Sequence, residues 1–526
     1  MAIVAMSWTP RFEISEEDIS SVYGEIRDHE DAIAAIDAEL QQLARESHRL
    51  YTRKAHLLDL ISKCRGRITL ARRAPDDVLA LIFEHCVSSG WAKGALVVSQ
   101  VCSKWRRASF APRVWSHIHV TSDSQDPISR TRLWVTRALQ SPLHIIVDIR
   151  TIDQPLLHAL DLLVDRVSQW QSFHLSTRFL QQASEVLVHC QRPAMKLKYL
   201  GVSSFAIGVE PTTGANEALD IREAFPETPH LHTLRVVSNK FPTSISSQVR
   251  EVTLELAQSP TTSLSMRSIL RVLADLPALQ SLTIVVPPTF ADAIIMPQDH
   301  SLPSLFPHLE SLTLNAYPSF NEILRHIETP ALRHLHLRST EDPLPFPHGA
   351  TGTALRAFID QSNPPLELLD LHDIDIPRDH FIECFSRLPK LEELRLHETE
   401  IPNEVMQILH GPAGACPRLK RLDFRWCEQL SGHALVDLVK SRANQAEGGS
   451  SDPIEKITVI NCALVEESDV LELARTTLCS IVARNLDDYC RPRGCCQNAR
   501  YRLRLRLRHG PQFTQDKRAK INLIID

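Results

Sequence analysis

Glycine is scarce in this chain, at sixteen of 526 residues. The few present never form the G-x-x-x-x-G-K-[ST] of a phosphate loop or the G-x-S-x-G of a nucleophile elbow, so neither a phosphate cradle nor an activated serine is expected. Long apolar runs are missing too. Nothing approaches the roughly 18 uninterrupted apolar residues of a membrane span, and no membrane partner is expected. An excess of charge of one sign is also lacking. The net charge of −5 and a pI near 6.6 give no overall footprint for nucleic acid or an anionic surface. The twelve cysteines are scattered rather than clustered. Cys490, Cys495 and Cys496 lie close together but lack a second CxxC pair, and His117-x-His119 and His334-x-His336 lack a third ligand, so no metal or other cofactor is expected. The opening MAIVAMSWTPRF has no basic lead and too short an apolar run for a secretory signal, which makes reduced thiols in cytoplasm and/or nucleus the expectation. The apolar fraction of 43% and charged fraction of 23% fall in the ordinary globular range, so several folded units are expected from this length.

After a flexible start at 1–12, the spacing predicts one long helix over 13–66, with Ser15 and Asp18 as a capping box. Ile19, Ile26, Ile33, Leu40, Ser47, Lys54 and Ile61 recur as one seam position. Val22, His29, Ile36, Leu43, Leu50 and Leu57 form the other, at alternating steps of three and four. That pattern is a coiled coil, and it would support self-association through 19–61. The polar members His29, Ser47 and Lys54 would fix register or partner number. The alternative is a single amphipathic helix packed back on the next domain. Arg67 to Arg73 reads as a basic, solvated hinge.

Residues 69–120 read as a small three-helix module. Pro75 suits a helix start because its missing N–H would be unpaired there, and Asp76 and Asp77 complement the helix dipole. Val78, Leu79, Ile82, Phe83 and Cys86 form an apolar face. Gly90 and Gly94 bracket a break, and Leu96, Val97, Val101, Trp105 and Ala108 continue with helical spacing. Val114 to Val120 then alternates like a strand. A unit this small with apolar residues on more than one face is expected to dock on a neighbour or partner. Three blocks carry a resemblance: Ala74-Pro75-Asp76-Asp77-Val78-Leu79-Ala80-Leu81-Ile82-Phe83, then Ser99-Gln100-Val101-Cys102-Ser103-Lys104-Trp105, then Pro112-Arg113-Val114-Trp115. In this order they resemble the "LPxEhhxxIF", "SxVCxxW" and "PxhW" blocks of an F-box. Ala74 departs from the family's leucine and Asp77 from its glutamate. The smaller Ala74 forgoes about 1.5–3 kcal/mol of burial at one anchor.

A connector follows at 121–142, in which Arg130 to Gln140 can form a helix. From 143 to 483 the chain is a repeat array. Apolar residues at positions 1, 4 and 6 recur at Leu197-Leu200-Val202, Leu231-Leu234-Val236, Val249-Val252-Leu254, Leu279-Leu282-Ile284, Leu309-Leu312-Leu314 and Leu332-Leu335-Leu337. The series continues at Leu366-Leu369-Leu371, Leu391-Leu394-Leu396, Leu419-Leu422-Phe424 and Ile454-Ile457-Val459, with Trp170-Phe173-Leu175 as an earlier variant. Amphipathic stretches such as Val405-Met406-Leu409 and Leu435-Leu438-Val439 lie between them. Strand plus helix, repeated, predicts an α/β solenoid with parallel strands on the concave face and helices on the convex face. The array resembles leucine-rich repeats. Cys416 to Leu430 and Ile454 to Cys462 are close to the cysteine-containing subtype, in which Cys427, Cys462 and Asn239 would take the position that bonds backbone where the strand turns away.

In a strand of period two, residues between the leucines point outward. His334, His336, Arg338, Asp370, His372, Glu393, Arg395, His397, Arg421, Asp423 and Arg425 would therefore stack into a charged band that reads a protein partner. The simpler alternative is a solvated face without a ligand. Ser281, Thr283, Ser311 and Thr313 give the earlier units a blander face. Residues 484–526 form a basic tail in which Arg500 to Arg508 alternates strictly, as in an edge strand or a disordered segment. That tail is the sole basis for a nucleic-acid reading, and nucleic acid is not expected as a partner of the chain as a whole.

Coil, F-box-like module and irregular repeats in this order resemble the expanded F-box families of mushroom-forming fungi. The resemblance implies a non-catalytic substrate receptor of a cullin-based, SCF-type ubiquitin ligase. A Skp-type adaptor and the cullin core would be reached through Pro75, Val78, Leu79, Ile82, Phe83, Val101, Trp105 and Trp115, with Phe83 and Trp105 as hot spots. The repeats would hold a target protein whose identity the residues do not reveal. The alternative is a non-enzymatic protein–protein interaction scaffold with no ubiquitin role.

Overall fold

The computed structural model describes residues 16–204, 224–238, 242, 245–256, 266–286, 303–315, 320–339, 348–399, 401–410, 414–427, 429–446, 451–460, 462, 464–483 and 523–525. The readings made on Asn239, on Cys490, Cys495 and Cys496 and on Arg500 to Arg508 lie outside these residues. The chain divides into two compact units, Met1–His85 with Leu96–Ser109, and Cys86–Ala95 with Phe110–Asp526.

The first unit begins with α1 (Glu16–Ile68), a 53-residue helix. Its seam is exposed from end to end: Ile19 is 42% accessible, Ile33 59%, Leu43 58% and Ile61 47%. A short α2 (Leu70–Arg73) leads to α3 (Asp76–Ser88), followed by α4 (Gly94–Val101) and α5 (Ser103–Ala108). The apolar residues from Leu96 to Ala108 follow one helical spacing. The structure breaks it at Cys102, whose backbone is extended (φ −160°, ψ 170°) and whose Sγ accepts a hydrogen bond from the Trp105 amide. The turn lets Trp105 meet Phe83, with ring centroids 4.9 Å apart. Asp76 is tied to Arg107 by two hydrogen bonds, beyond the dipole role that its position suggested.

The second unit is an α/β array built on one sheet. Its strands are β1 (His117–Thr121), β2 (Leu143–Ile149), β3 (Trp170–Thr177), β4 (Tyr199–Ser204), β5 (Thr233–Val237), β6 (Glu251–Glu255), β7 (Ser281–Val285) and β9 (Ser311–Asn315). They continue with β11 (His334–Arg338), β12 (Leu368–His372), β13 (Glu393–His397), β14 (Arg421–Arg425), β15 (Lys456–Ile460) and β16 (Leu478–Ala483). Each pairs in parallel with the next, in chain order. A final β17 (Leu523–Ile525) closes the edge of β16 antiparallel. The two-residue strands β8 (Ser304–Leu305) and β10 (Ile327–Glu328) form a separate small pair. Helices such as α6 (Pro127–Ala138), α7 (Gln154–Val164) and α8 (Leu180–His189) fill the connections.

Two boundaries shift from the sequence reading. The strand at His117 belongs to the sheet rather than to the helical module, because Ile118 pairs with Ile145 and Val120 with Val147. The segment read as a connector is the array's first helix. Trp134 on α6 packs edge-on against Trp115 at 5.0 Å, and Arg137 lies over the Trp115 ring at 4.4 Å.

Register makes the core continuous. Ile118, Ile145, Phe173, Leu200, Leu234, Val252 and Leu282 form one row across successive strands. Leu312, Leu335, Leu369, Leu394, Leu422, Ile457 and Cys479 extend it. Most of the array's strands alternate buried and accessible residues, as in β14, whereas β4 is buried at five of its six positions. Where β12, β13 and β14 end, Asp373, Glu398 and Trp426 adopt left-handed backbone, φ 60°, 54° and 54°. Their amides donate to the carbonyls of His397, Arg425 and Ile460, which adds one rung to the ladder at each corner. The buried Cys427 thiol donates to the Leu396 carbonyl at 3.2 Å at the same corner, and Cys462 to the Phe424 carbonyl at 3.7 Å.

Arg442 is fully buried on the 15-residue helix Gly432–Ala446. Its guanidinium donates to the carbonyls of Leu409, Ala415, Cys416 and Pro417, so it organises the loop ahead of β14. Replacing Arg442 by Met leaves four buried or half-buried carbonyls to find other donors. The expected loss is about 2–4 kcal/mol, read as a lowered urea midpoint relative to wild type.

Candidate interaction surfaces

The α3 and α4 helices sort the residues expected to meet an adaptor into two groups. Leu79 is 1% accessible and Phe83 2%, so both are core of the first unit. Trp115 is fully buried in the second unit, against Trp134. Trp105 is half-buried against Phe83. Leu79 and Phe83 lie on the buried side of α3, whereas Trp115 belongs to the second unit. Pro75, Val78, Ile82 and Val101 are exposed, together with Leu81 and Val97, which the motif comparison did not select. Val78, Leu81 and Ile82 share one face of α3 by their three- and four-residue spacing, and Val97 and Val101 share one face of α4.

On the sheet, the charged residues between the leucines come together in register. His336 stands beside Asp370, Asp370 beside Arg395, and Arg395 beside Asp423. In the next row Arg338, His372, His397 and Arg425 follow one another. Glu393 accepts hydrogen bonds from Arg395 and Arg421, the latter at 2.7 Å. Asp423 takes a bidentate pair from Arg425 at 2.8 and 2.7 Å. His336 Nδ1 lies 3.0 Å from Asp370 Oδ2. The band is therefore largely neutralised from within, which the sequence pattern did not reveal. Alternation says which residues face out, but which of them bond depends on rotamers.

The carboxyl groups carry the mark of that pairing. Burial works to raise Asp370 and Glu393, yet the hydrogen bond from His336 to the first and those from Arg421 and Arg395 to the second hold both below the usual carboxylate range. Asp423 is held lower still: burial opposes ionisation, but His397 and Arg425 outweigh it. Asp370 is only 2% accessible, and its Oδ1 accepts no hydrogen bond from the described residues. Arg338 on β11 and Lys456 on β15, the strand next to β14, are exposed cations.

The early strands carry a second cluster on the corresponding rows. His117 and His144 stack at 4.5 Å. His174, Tyr199 and Arg235 follow, with Gly201 between them in register: a Cβ there would fall 2.2 Å from His174 Nδ1 and 2.9 Å from the Tyr199 hydroxyl. This is a close approach that glycine alone permits. Burial, and then the charge of His144, push His117 down to about 4, while burial and Arg235 lower His174. These imidazoles are neutral hydrogen-bonding groups at neutral pH. The period-two rule that located the later band applies equally to His117, His119, His174, Tyr199 and Arg235. The sequence spacing singles out only His117 and His119 of this cluster, as a metal pair without a third ligand.

Among the described residues no group of three His, Cys, Asp or Glu side chains is arranged to hold a metal ion, and no helix is long and apolar enough to cross a membrane.

His117 gives a pH signature. Its folded pKa lies below the ordinary histidine value, so the unfolded chain binds the proton first. Stability should fall as pH drops from about 6.5 to 4. In urea titrations across that window His117→Gln should flatten the slope, and an unchanged slope would contradict the assignment.

No family model matches this chain, and no curated protein matches it. Among solved structures it is similar to the TLR13–ssRNA13 complex, at 13% identity and a TM-score of 0.32, covering 70% of this chain and 55% of that one. The chain thus spans about half the length of that structure, and a likeness this loose carries no argument.

Proposed function

We propose that the chain is a substrate-recognition subunit of a cullin-based, SCF-type ubiquitin ligase, present in cytoplasm and/or nucleus. In this reading α3 to α5 form an F-box that binds a Skp-type adaptor, and the sheet is a leucine-rich-repeat array that holds the target protein. The chain performs no chemistry itself and raises the local concentration of target at the ligase. The observation that carries the reading is the set of three F-box-like blocks in order, whose first two helices keep Val78, Ile82 and Val101 exposed while Phe83 and Trp105 pack behind them. A solvent-facing apolar stripe on a small helical unit fits a docking face. The in-register L-x-x-L-x-L strands support the repeat assignment.

The geometry chooses the test. Phe83→Ala would damage the fold, so loss of binding there would say little. Ile82→Asp combined with Val101→Asp keeps the core, and should reduce co-purification with a Skp-type adaptor at least about tenfold, since desolvated apolar anchors dominate such contacts. Folded wild-type protein that retains no adaptor would leave the scaffold reading, in which coil and repeats assemble partners without a ubiquitin role.

For the target face, reversing Arg395, Arg421 and Arg425 together would break the internal pairs to Glu393 and Asp423 as well as any partner contact. Arg338→Glu with Lys456→Glu is the cleaner pair. Target capture should drop severalfold with the melting temperature little changed, because single exposed charges contribute under about 1 kcal/mol to stability. Full capture by this variant would remove the band from the recognition surface.

A further inference from the structure

The exposed seam of α1 (Glu16–Ile68) has a charge pattern that selects its partner. Residues 17–39 carry eight acidic side chains and one basic, Arg27, for a net −7. Residues 40–66 carry six basic and two acidic, for a net +4. The two acids of the basic half, Glu46 and Asp59, are already engaged within the helix by Arg49 and Lys63. A charge gradient of this sense also suits the dipole of an isolated helix, but that effect is confined to the first and last turns. Here the polarity extends over both halves of a helix about 80 Å long.

We propose that α1 pairs with α1 of a second copy of this chain as an antiparallel coiled coil. Parallel pairing would set the acidic halves side by side at about 10 Å, within one Debye length, and the basic halves likewise. Antiparallel pairing sets each acidic half against a basic one. The seam itself gives a second reason. Parallel, in-register packing places Lys54 against Lys54 in one buried layer. Full antiparallel overlap places Lys54 opposite His29, inside the acidic half, and brings Ile26 to Leu57, Ile33 to Leu50, Leu40 to Leu43 and Val22 to Ile61. All of these apolar residues are between 45% and 59% accessible in the single chain. The selection comes from the field of whole half-helices rather than from individual flanking pairs.

Cys64, a free and exposed thiol, falls on the seam opposite Ile19 of the second copy in this arrangement. The two Cys64 residues are then separated by about 65–70 Å along the coil. The test uses full-length protein. Sedimentation should give a dimer. Under mild oxidation the wild type should form no Cys64–Cys64 bridge, whereas Ile19→Cys should give a cross-linked dimer whose bridging peptides join position 19 to Cys64. Ile19 is exposed, so the variant leaves the fold of the chain untouched. A Cys64–Cys64 bridge in the wild type, a 19–19 bridge in the variant, or a monomer at all concentrations would overturn the proposal. A dimer that forms neither bridge would overturn the full-overlap register. The outcome does not depend on adaptor binding.

Discussion

The second unit depends on one unbroken row of apolar side chains, from Ile118 on β1 to Cys479 on β16, held in line by parallel pairing. No strand in the row buries its apolar side alone. Each interior strand is flanked by the strand before and the strand after. Such an array has no single centre. Its stability is a sum of neighbour contacts, and only its ends need special treatment. Here the ends are treated differently. The Trp115–Trp134–Arg137 stack closes the start, and β17 runs antiparallel to occupy the last open edge, which blunts edge-to-edge pairing with other chains.

That row explains why so much of the fold was legible. Leucines at positions 1, 4 and 6 are the residues that must be buried in every unit, so they recur whatever else varies, and each of the eleven segments read as a repeat strand is a strand. What was illegible lies where local spacing is ambiguous. Leu96 to Ala108 has helical periodicity throughout, yet an extended Cys102 divides it. His117 to Val120 alternates, but alternation does not say which unit a strand joins. The bonded pairs within the charged band were likewise out of reach, since Glu393 could have turned toward solvent as readily as toward Arg421.

The helical module shows a related limit. A motif marks residues that matter without saying whether they matter to the core or to a partner. In a unit of this size the two demands compete for the same few large side chains. Phe83 and Leu79 serve the core, while Val78, Leu81, Ile82 and Val101 face outward. The motif was readable in the sequence, but the division of labour within it was not.

The corners at Asp373, Glu398 and Trp426 keep β12, β13 and β14 in step, so the polar face is laid out on a fixed grid. Neighbouring strands are about 4.8 Å apart, and successive outward residues on one strand about 6.8 Å apart. Asp370, Arg395 and Asp423 are consecutive marks along that grid. The face therefore presents its charges at quantised intervals. Insertion of one residue within a strand would turn its marks to the other face, whereas insertion of a whole repeat would lengthen the scale by one division and leave every other mark in place.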